Sequence, residues 1–123
     1  MVLLAMRRGT AQTAQQIATE TKVPIDYLFK VLQSLSRALY EEVTFDESHI
    51  TSIDWDSYPI LKFSDVPEVD VVLIDHPDQP AVGAGEPATI TTAPAIANAI
   101  FHATEARVRQ IPFTPQRVKA ALG

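Results

Sequence analysis

The feature that most constrains the fold is a helical pattern of apolar residues between Ile25 and Ala38. Its apolar positions follow the i, i+3, i+4 spacing that places side chains on one side of a helix: Leu28, Val31, Leu32, Leu35 and Ala38. The other side carries polar and charged residues: Asp26, Lys30, Gln33 and Arg37. The sequence therefore predicts a helix with one buried face.

A shorter helix is predicted just before it. Thr13 followed three residues later by Gln16 is a capping-box pattern, and apolar positions follow at Ala14, Ile17 and Ala18. Pro24 disfavours helical geometry at the preceding residue, so this helix should end near Thr21. Two short helices joined by a tight turn fit a helix-turn-helix, although any hairpin of two helices gives the same pattern.

The order of residues in this region resembles the Rrf-type winged-helix transcriptional regulators. The shared pattern is an "IA" helix, a small turn and then "YL-KVLQ-L--A", within residues 1–38. The resemblance implies that the helix from Ile25 is a recognition helix, with Tyr27 and Lys30 facing DNA. The wing and dimerisation helix of that family do not follow Ala38. With so few phosphate contacts, we expect DNA binding to be weak or absent.

The pattern changes after Leu39. Alternating apolar residues predict two short strands around "FDES", residues 69–74 predict a buried strand, and 76–87 predict a loop rich in proline and glycine. A helix is predicted over 93–104, with a buried stripe at Ile96, Ala97, Ile100 and Ala103, followed by a strand at 107–111 and a short helix capped by Thr114. Strand 69–74 needs cover on both faces, and this segment offers one good helix.

We therefore predict an α+β fold. A truncated helix-turn-helix over residues 1–38 is followed by a small mixed α/β segment, 39–123, that is part of a larger domain. The charge divides in the same way. Residues 1–40 hold five basic and two acidic residues, net +3, whereas residues 41–123 hold five basic and thirteen acidic ones, net -8.

Composition excludes several kinds of site. The chain has no cysteine, so it cannot form disulfides or bind zinc or iron–sulfur clusters through thiolates. Its three histidines (His49, His76 and His102) lack metal-ligand spacing, so no metal site is predicted from the residues themselves. The sequence shows neither a secretion signal nor an apolar run long enough to span a bilayer, so we expect a cytoplasmic protein that does not enter membranes.

A second resemblance concerns residues 39–123. The segments "YPILKFSDVPEV", "AVGAGEP" and "PAIANAIF-AT" follow in the same order and spacing as in the C-terminal end of the large subunit of molybdenum hydroxylases. This is the xanthine dehydrogenase and aldehyde oxidase family, and the isoquinoline 1-oxidoreductase and nicotinate dehydrogenase type is most similar. The resemblance implies a molybdopterin cofactor and partner subunits of that enzyme class.

The same resemblance gives a role to one acid. It implies that Glu86 is the general base beside molybdenum, and that Gly83, Ala84 and Gly85 form the loop that brings it close to the cofactor. The upstream cofactor-binding loops of the family are not in this chain, so we expect no cofactor to bind it alone. The leading hypothesis is a fragment of a molybdenum hydroxylase that is inactive alone. The alternatives are a fragment of a DNA-binding regulator, or a fused reading frame without present activity.

Overall fold

The computed structural model describes residues 2–7, 16, 18–19, 25–73, 77–80 and 86–123. Its strands are β1 (Val2–Arg7) and β2 (Glu68–Leu73), and its helices are α1 (Ile25–Leu39), α2 (Pro87–Ile90), α3 (Thr92–Thr104) and α4 (Pro115–Ala121). A short 3-10 turn, Phe63–Asp65, precedes β2. In the region of the predicted first helix, Gln16, Ala18 and Thr19 are helical.

Helix α1 is the centre of the core, as its apolar spacing predicts. Its buried apolar residues are Leu28, Val31, Leu35 and Ala38. Leu28 is only 1% exposed and shares a cluster with Ala18, Val66 and Val69. Burying a leucine side chain of this kind is worth roughly 1.5–3 kcal/mol relative to leaving it in water.

Two serines are buried on α1, and both are hydrogen-bonded. The hydroxyl of Ser34 donates to the carbonyl of Lys30 at 2.9 Å, one helical turn earlier. The hydroxyl of Ser36 accepts from the backbone N–H of Leu61 at 2.9 Å. The bond is part-buried, where a backbone donor without a partner is costly, so Ser36 holds the segment around Leu61 against the helix. The bond joins residues 1–38 to residues 39–123, which the sequence analysis treated as separate segments. The division into these two segments stays a prediction.

Strand β2 confirms the strand predicted at 69–74, but its partner was not predicted. It pairs antiparallel with β1, so that Val2 lies opposite Leu73 and Arg7 lies opposite Glu68. A two-stranded ribbon is only marginally stable alone. Val69 connects it to the core, because its side chain is buried in the cluster beneath α1.

Helix α3 is the one good helix that the sequence offered as cover for strand 69–74, but its main contacts in the described part of the chain are with α1 and α2. Its predicted stripe is less buried than expected, since Ile96, Ala97 and Ile100 are half-buried and Ala103 is exposed. The helix ends where Glu105 adopts a left-handed conformation (φ 60°) and donates its N–H to the carbonyl of Phe101 at 2.7 Å.

The strand predicted at 107–111 does not form, and those residues run as an irregular segment. The segment ends at a cis Ile111–Pro112 peptide bond. Phe113, which is buried, then donates its N–H to the carbonyl of Ala38 at 2.7 Å. The bond gives a partner to a carbonyl at the end of α1, where helices leave carbonyls without intrahelical partners.

Helix α4 begins as the sequence predicts. The hydroxyl of Thr114 accepts from the N–H of Arg117 at 3.2 Å, and Pro115 occupies the first turn. Of the two strands predicted around "FDES", the structure shows only an isolated antiparallel bridge between Phe45 and Ile50. Both residues are exposed, so this hairpin has no packed face to extend the pairing.

Candidate functional site

Glu86 lies immediately before α2, and its main chain is held in place. Its carbonyl accepts hydrogen bonds from the N–H and the hydroxyl of Thr89, both at 2.8 Å, and from the N–H of Ile90 at 3.3 Å. Pro87 follows at the start of the helix, where a missing N–H costs nothing. The backbone of Glu86 is therefore part of the first turn of α2.

The side chain of Glu86 is exposed. Its carboxylate does not cap α2, and within the described ranges no hydrogen bond or ion pair to it is seen. Such a carboxylate is available to accept a proton or to contact a ligand. The preceding loop residues, Gly83, Ala84 and Gly85, lie outside the described residues, so the predicted glycine loop stays a prediction.

A groove opens between α1 and the chain that follows it. It has a volume of about 460 Å³, and its wall on α1 includes Phe29 and Leu32. The facing wall includes Trp55, Ile60 and Phe63. Glu86 is not among its lining residues, so the predicted base and this groove are separate features.

The lining of the groove was not identified from the sequence. Trp55 is 76% exposed and Phe63 is 68% exposed. The segment "YPILKF" was used only for its resemblance to the molybdenum hydroxylases, and its apolar residues at Ile60 and Phe63 were the available signal. Large apolar side chains that stay exposed in a cluster mark a binding surface more often than a core.

The residues predicted to face DNA lie together on α1. Tyr27 is half-buried and Lys30 is exposed. Asp26, also exposed, places an acid in the first turn of the same helix. The described part of the helix thus offers DNA one exposed lysine beside an acid, which is a small electrostatic footprint.

Two exposed acids are held by local hydrogen bonds. Asp46 accepts the N–H groups of Ser48 and His49, each at 2.8 Å, and these bonds lower the pKa of the carboxyl group. Asp54 accepts from the hydroxyl of Ser57 at 2.6 Å and from its N–H at 2.9 Å, which lowers the pKa of Asp54 in the same way. Both carboxylates therefore stay charged near neutral pH.

Ser48, His49 and Asp46 are close together but do not form a catalytic triad. The hydroxyl of Ser48 lies 2.6 Å from Nδ1 of His49, and Oδ1 of Asp46 lies 3.6 Å from the same nitrogen. A triad needs the serine and the acid on opposite ring nitrogens, so that the imidazole can move a proton between them. The arrangement is a turn closed by local hydrogen bonds.

No group of three or more His, Cys, Asp or Glu residues that could hold a metal ion is found among the described residues. The sequence prediction for the three histidines stays a prediction. Of these, His49 is in the turn just described, His102 is exposed on α3, and His76 lies outside the described residues. The same part of the chain contains no helix long and apolar enough to cross a bilayer.

Comparison with known proteins gives relatives over about 70% of the chain. It is 50% identical over 93 residues (76% of this chain) to a nicotinate dehydrogenase subunit of Pseudomonas putida. It is 34% identical over 91 residues (74% of the chain) to a membrane-bound aldehyde dehydrogenase of Gluconacetobacter polyoxogenes that is named for pyrroloquinoline quinone. It is 33% identical over 85 residues (69% of the chain) to the beta chain of isoquinoline 1-oxidoreductase of Brevundimonas diminuta.

The name of a further relative includes molybdenum. An aldehyde oxidoreductase molybdenum-binding subunit of Escherichia coli is 32% identical over 87 residues, which is 65% of this chain. No family model matches the chain. The predicted similarity to nicotinate dehydrogenase and isoquinoline 1-oxidoreductase is confirmed by these matches, whereas the resemblance to winged-helix regulators stays a prediction.

The chain spans only a small part of these relatives. It covers 8% of the nicotinate dehydrogenase subunit and 11–12% of the other three. The longest match also extends further than the sequence predicted. Residues 39–123 number 85, so a match covering 76% of the chain includes at least eight residues that precede Leu39. The end of α1 therefore belongs to the matched segment.

Proposed function

We propose that this chain is a fragment of the molybdenum-binding subunit of a molybdenum hydroxylase, and that Glu86 is its general base. The observation that carries the proposal is the 50% identity to the P. putida nicotinate dehydrogenase subunit over 93 residues. A carboxylate without a competing partner in the described residues supports the role of Glu86.

The described residues fit a supporting role toward the cofactor. The chain matches only 8–12% of the length of its relatives, so the cofactor would be held by a polypeptide that corresponds to the unmatched part of the relatives. When bound, a molybdenum cofactor supplies the redox centre for hydroxylation. This chain would contribute the carboxylate of Glu86 to the site that surrounds the cofactor.

Glu86 can act as a base because its main chain is hydrogen-bonded within the described residues while its carboxylate is exposed and has no partner there. Its carbonyl is fixed by Thr89 and Ile90, so the position of the residue does not depend on the carboxylate. A general base must come within hydrogen-bond reach of the proton it accepts, and such a base is worth about 100- to 10,000-fold in rate. The exposed carboxylate of Glu86 would come within hydrogen-bond reach of that proton once a substrate and the rest of the site lie against it.

The substrate class follows from the names of the relatives. Two of them act by name on N-heteroaromatic compounds, nicotinate and isoquinoline, and two act on aldehydes. Both classes contain an electron-poor carbon. The higher identity to the nicotinate enzyme favours an N-heteroaromatic substrate for the complete enzyme.

The proposal is tested by reconstitution. The full chain is co-expressed with the P. putida nicotinate dehydrogenase subunit from which the matching segment has been deleted, together with the other subunits of that enzyme. We expect nicotinate-dependent reduction of an electron acceptor and retained molybdenum. Glu86→Gln should lower kcat by at least about 100-fold with the molybdenum content unchanged, because glutamine keeps the shape and removes the base.

Glu105→Gln is the matched control. Glu105 is also an exposed acid, but it lies at the opposite end of α3 from α2, so its variant should keep normal turnover. Near-normal turnover of Glu86→Gln would contradict the role of Glu86. A complex that binds pyrroloquinoline quinone and no molybdenum would contradict the proposed cofactor.

A further inference from the structure

One wall of the groove beside α1 comes from a segment that exposes several large apolar side chains. The exposed large apolar residues between positions 43 and 63 are Val43, Phe45, Ile50, Ile53, Trp55, Ile60 and Phe63. Phe29 of α1, which is 49% exposed, lines the groove beside Trp55 and Phe63. We call residues 43–63 together with Phe29 the apolar surface.

The charges around this surface have a definite sign. Residues 43–63 carry four acids (Asp46, Glu47, Asp54 and Asp56) against one base, Lys62. The acids at positions 46 and 54 accept local hydrogen bonds that keep them ionised. An occupant that covers the apolar centre would therefore be favoured by basic side chains at its edge.

The charges inside the groove do not select an ion. Arg37 and Glu41 both line it, and Nε of Arg37 lies 3.9 Å from Oε2 of Glu41. Glu41 also accepts a hydrogen bond from the hydroxyl of Tyr58 at 2.9 Å. Because these groups are already paired with one another, the remaining wall of Phe29, Trp55 and Phe63 is suited to apolar side chains.

We infer that the apolar surface docks the polypeptide that corresponds to the unmatched part of the molybdenum-binding subunit, through an apolar segment with basic flanks. This inference rests on the proposed function. The chain matches only 8–12% of the relatives' length, so in them this segment has a much longer polypeptide to pack against. A second copy of the chain is the less suitable occupant, because its own apolar surface carries the same net negative charge.

The test measures association rather than activity. A tagged full chain is co-expressed with the P. putida nicotinate dehydrogenase subunit that lacks the matching segment, and the affinity-purified chain is assayed for this truncated subunit. The wild-type chain should retain it. Trp55→Glu and Phe63→Glu should each weaken retention by at least about tenfold, because a buried charge at the centre of an apolar interface has no partner.

Leu122→Glu is the matched control. Leu122 is 53% exposed, similar to Phe29, but it follows α4 and lies outside the apolar surface and away from Glu86 in the sequence. Its variant should retain the truncated subunit as the wild type does. Equal retention by Trp55→Glu and the wild type, or failure of the wild-type chain to bind a soluble truncated subunit, would overturn the inference.

Two further measurements keep the inference testable. Sedimentation of the chain alone detects self-association. A dimer that Trp55→Glu converts to a monomer would identify a second copy of the chain as the occupant and would overturn the inference.

If the truncated subunit is insoluble, the chain replaces the matching segment within the intact subunit. In that chimaera Trp55→Glu should lower the soluble yield and Leu122→Glu should not, and equal yields would again overturn the inference.

The outcome is separable from that of the proposed function. Association that Trp55→Glu disrupts, in a complex that retains no molybdenum, would support the docking surface and reject the proposed function. An active complex that tolerates Trp55→Glu would support the function and reject the surface.

Discussion

Arg117 and Glu42 form an ion pair that joins two parts of the chain 75 residues apart. Nη2 of Arg117 lies 2.6 Å from Oε1 of Glu42 and 2.8 Å from Oε2, and Nη1 donates to the carbonyl of Pro112 at 3.2 Å. The pair connects α4 to the residues that follow α1. Charge-assisted hydrogen bonds of this length are among the stronger polar contacts in proteins.

Removing this pair should loosen α4. The Arg117 side chain is 24% exposed and Glu42 is 40% exposed, so water screens the interaction and we expect Arg117→Ala to lower the free energy of unfolding by about 1 kcal/mol. Urea denaturation followed by circular dichroism measures the loss, which should shrink at high salt. Arg109→Ala, at an exposed arginine, should change stability by no more than about 0.5 kcal/mol. Equal losses in the two variants would show that the pair contributes nothing specific.

The core around α1 can be tested with two adjacent residues. Leu28 is 1% exposed, whereas Phe29 is 49% exposed. Leu28→Ala should cost about 2–5 kcal/mol of unfolding free energy, because it removes buried methyl groups and leaves a cavity. Phe29→Ala should cost much less in the same denaturation experiment. A comparable loss at both positions would mean that α1 is not docked through its apolar face.

Ser36 should be sensitive to loss of its hydroxyl. Ser36→Ala leaves the N–H of Leu61 without the 2.9 Å partner that it now has in a part-buried position. Because an unsatisfied donor costs about 1–3 kcal/mol when it is fully buried, we expect a loss of about 1 kcal/mol in the free energy of unfolding. Hydrogen exchange at the Leu61 amide should become faster, which locates the effect. Ser64→Ala, at an exposed serine, serves as the control. Unchanged exchange at Leu61 would contradict the role of Ser36.

The turn at Asp46 gives a pH-dependent contribution to stability. Hydrogen bonds from Ser48 and His49 lower the pKa of Asp46 below its ordinary value of 3.8. The contribution is therefore present above about pH 4 and is lost as the pH falls through the lowered pKa of the folded state. Asp46→Asn should lower the melting temperature slightly near neutral pH, and its difference from the wild type should shrink as the pH falls through the lowered pKa of Asp46. A difference that grows toward acid would contradict this account.

DNA binding tests the rival hypothesis of a regulator. We expect no sequence-specific binding by the chain, because its net charge is -5 and Asp26 lies in the first turn of α1 beside Tyr27 and Lys30. Fluorescence anisotropy with labelled duplexes at physiological salt is the measurement. Sub-micromolar, sequence-dependent binding that Lys30→Glu abolishes would support the regulator instead.

The elements that the sequence predicted well are those fixed by local rules. Helix α1 follows from its apolar spacing, and the start of α4 follows from Thr114 and the proline after it. The pairing of β1 with β2 joins residues more than sixty positions apart, and no local pattern specifies such a pairing. The same holds for α3, whose stripe predicted a buried face but could not identify α1 as the surface it covers.

Residues 43–53 and 107–111 are segments where strands were predicted and do not form. The sequence predicted strands in both segments, on alternating apolar residues in the first, but a strand needs a partner and a surface to pack against. Phe45 and Ile50 pair only with each other, and both are exposed. After α3, Arg107 instead turns back, where its guanidinium lies 3.5 Å from the ring centre of Phe101 and Nη1 donates to Asn98 at 2.9 Å.

Trp55 is the one tryptophan of the sequence, and it lies in the groove with 76% of its surface exposed. Its indole already contacts water in the folded chain, so tryptophan fluorescence should change little when the chain unfolds. The emission should shift to shorter wavelength when another polypeptide covers the groove. The emission of Trp55 therefore reports the assembly of the chain with another polypeptide and hardly responds to its folding.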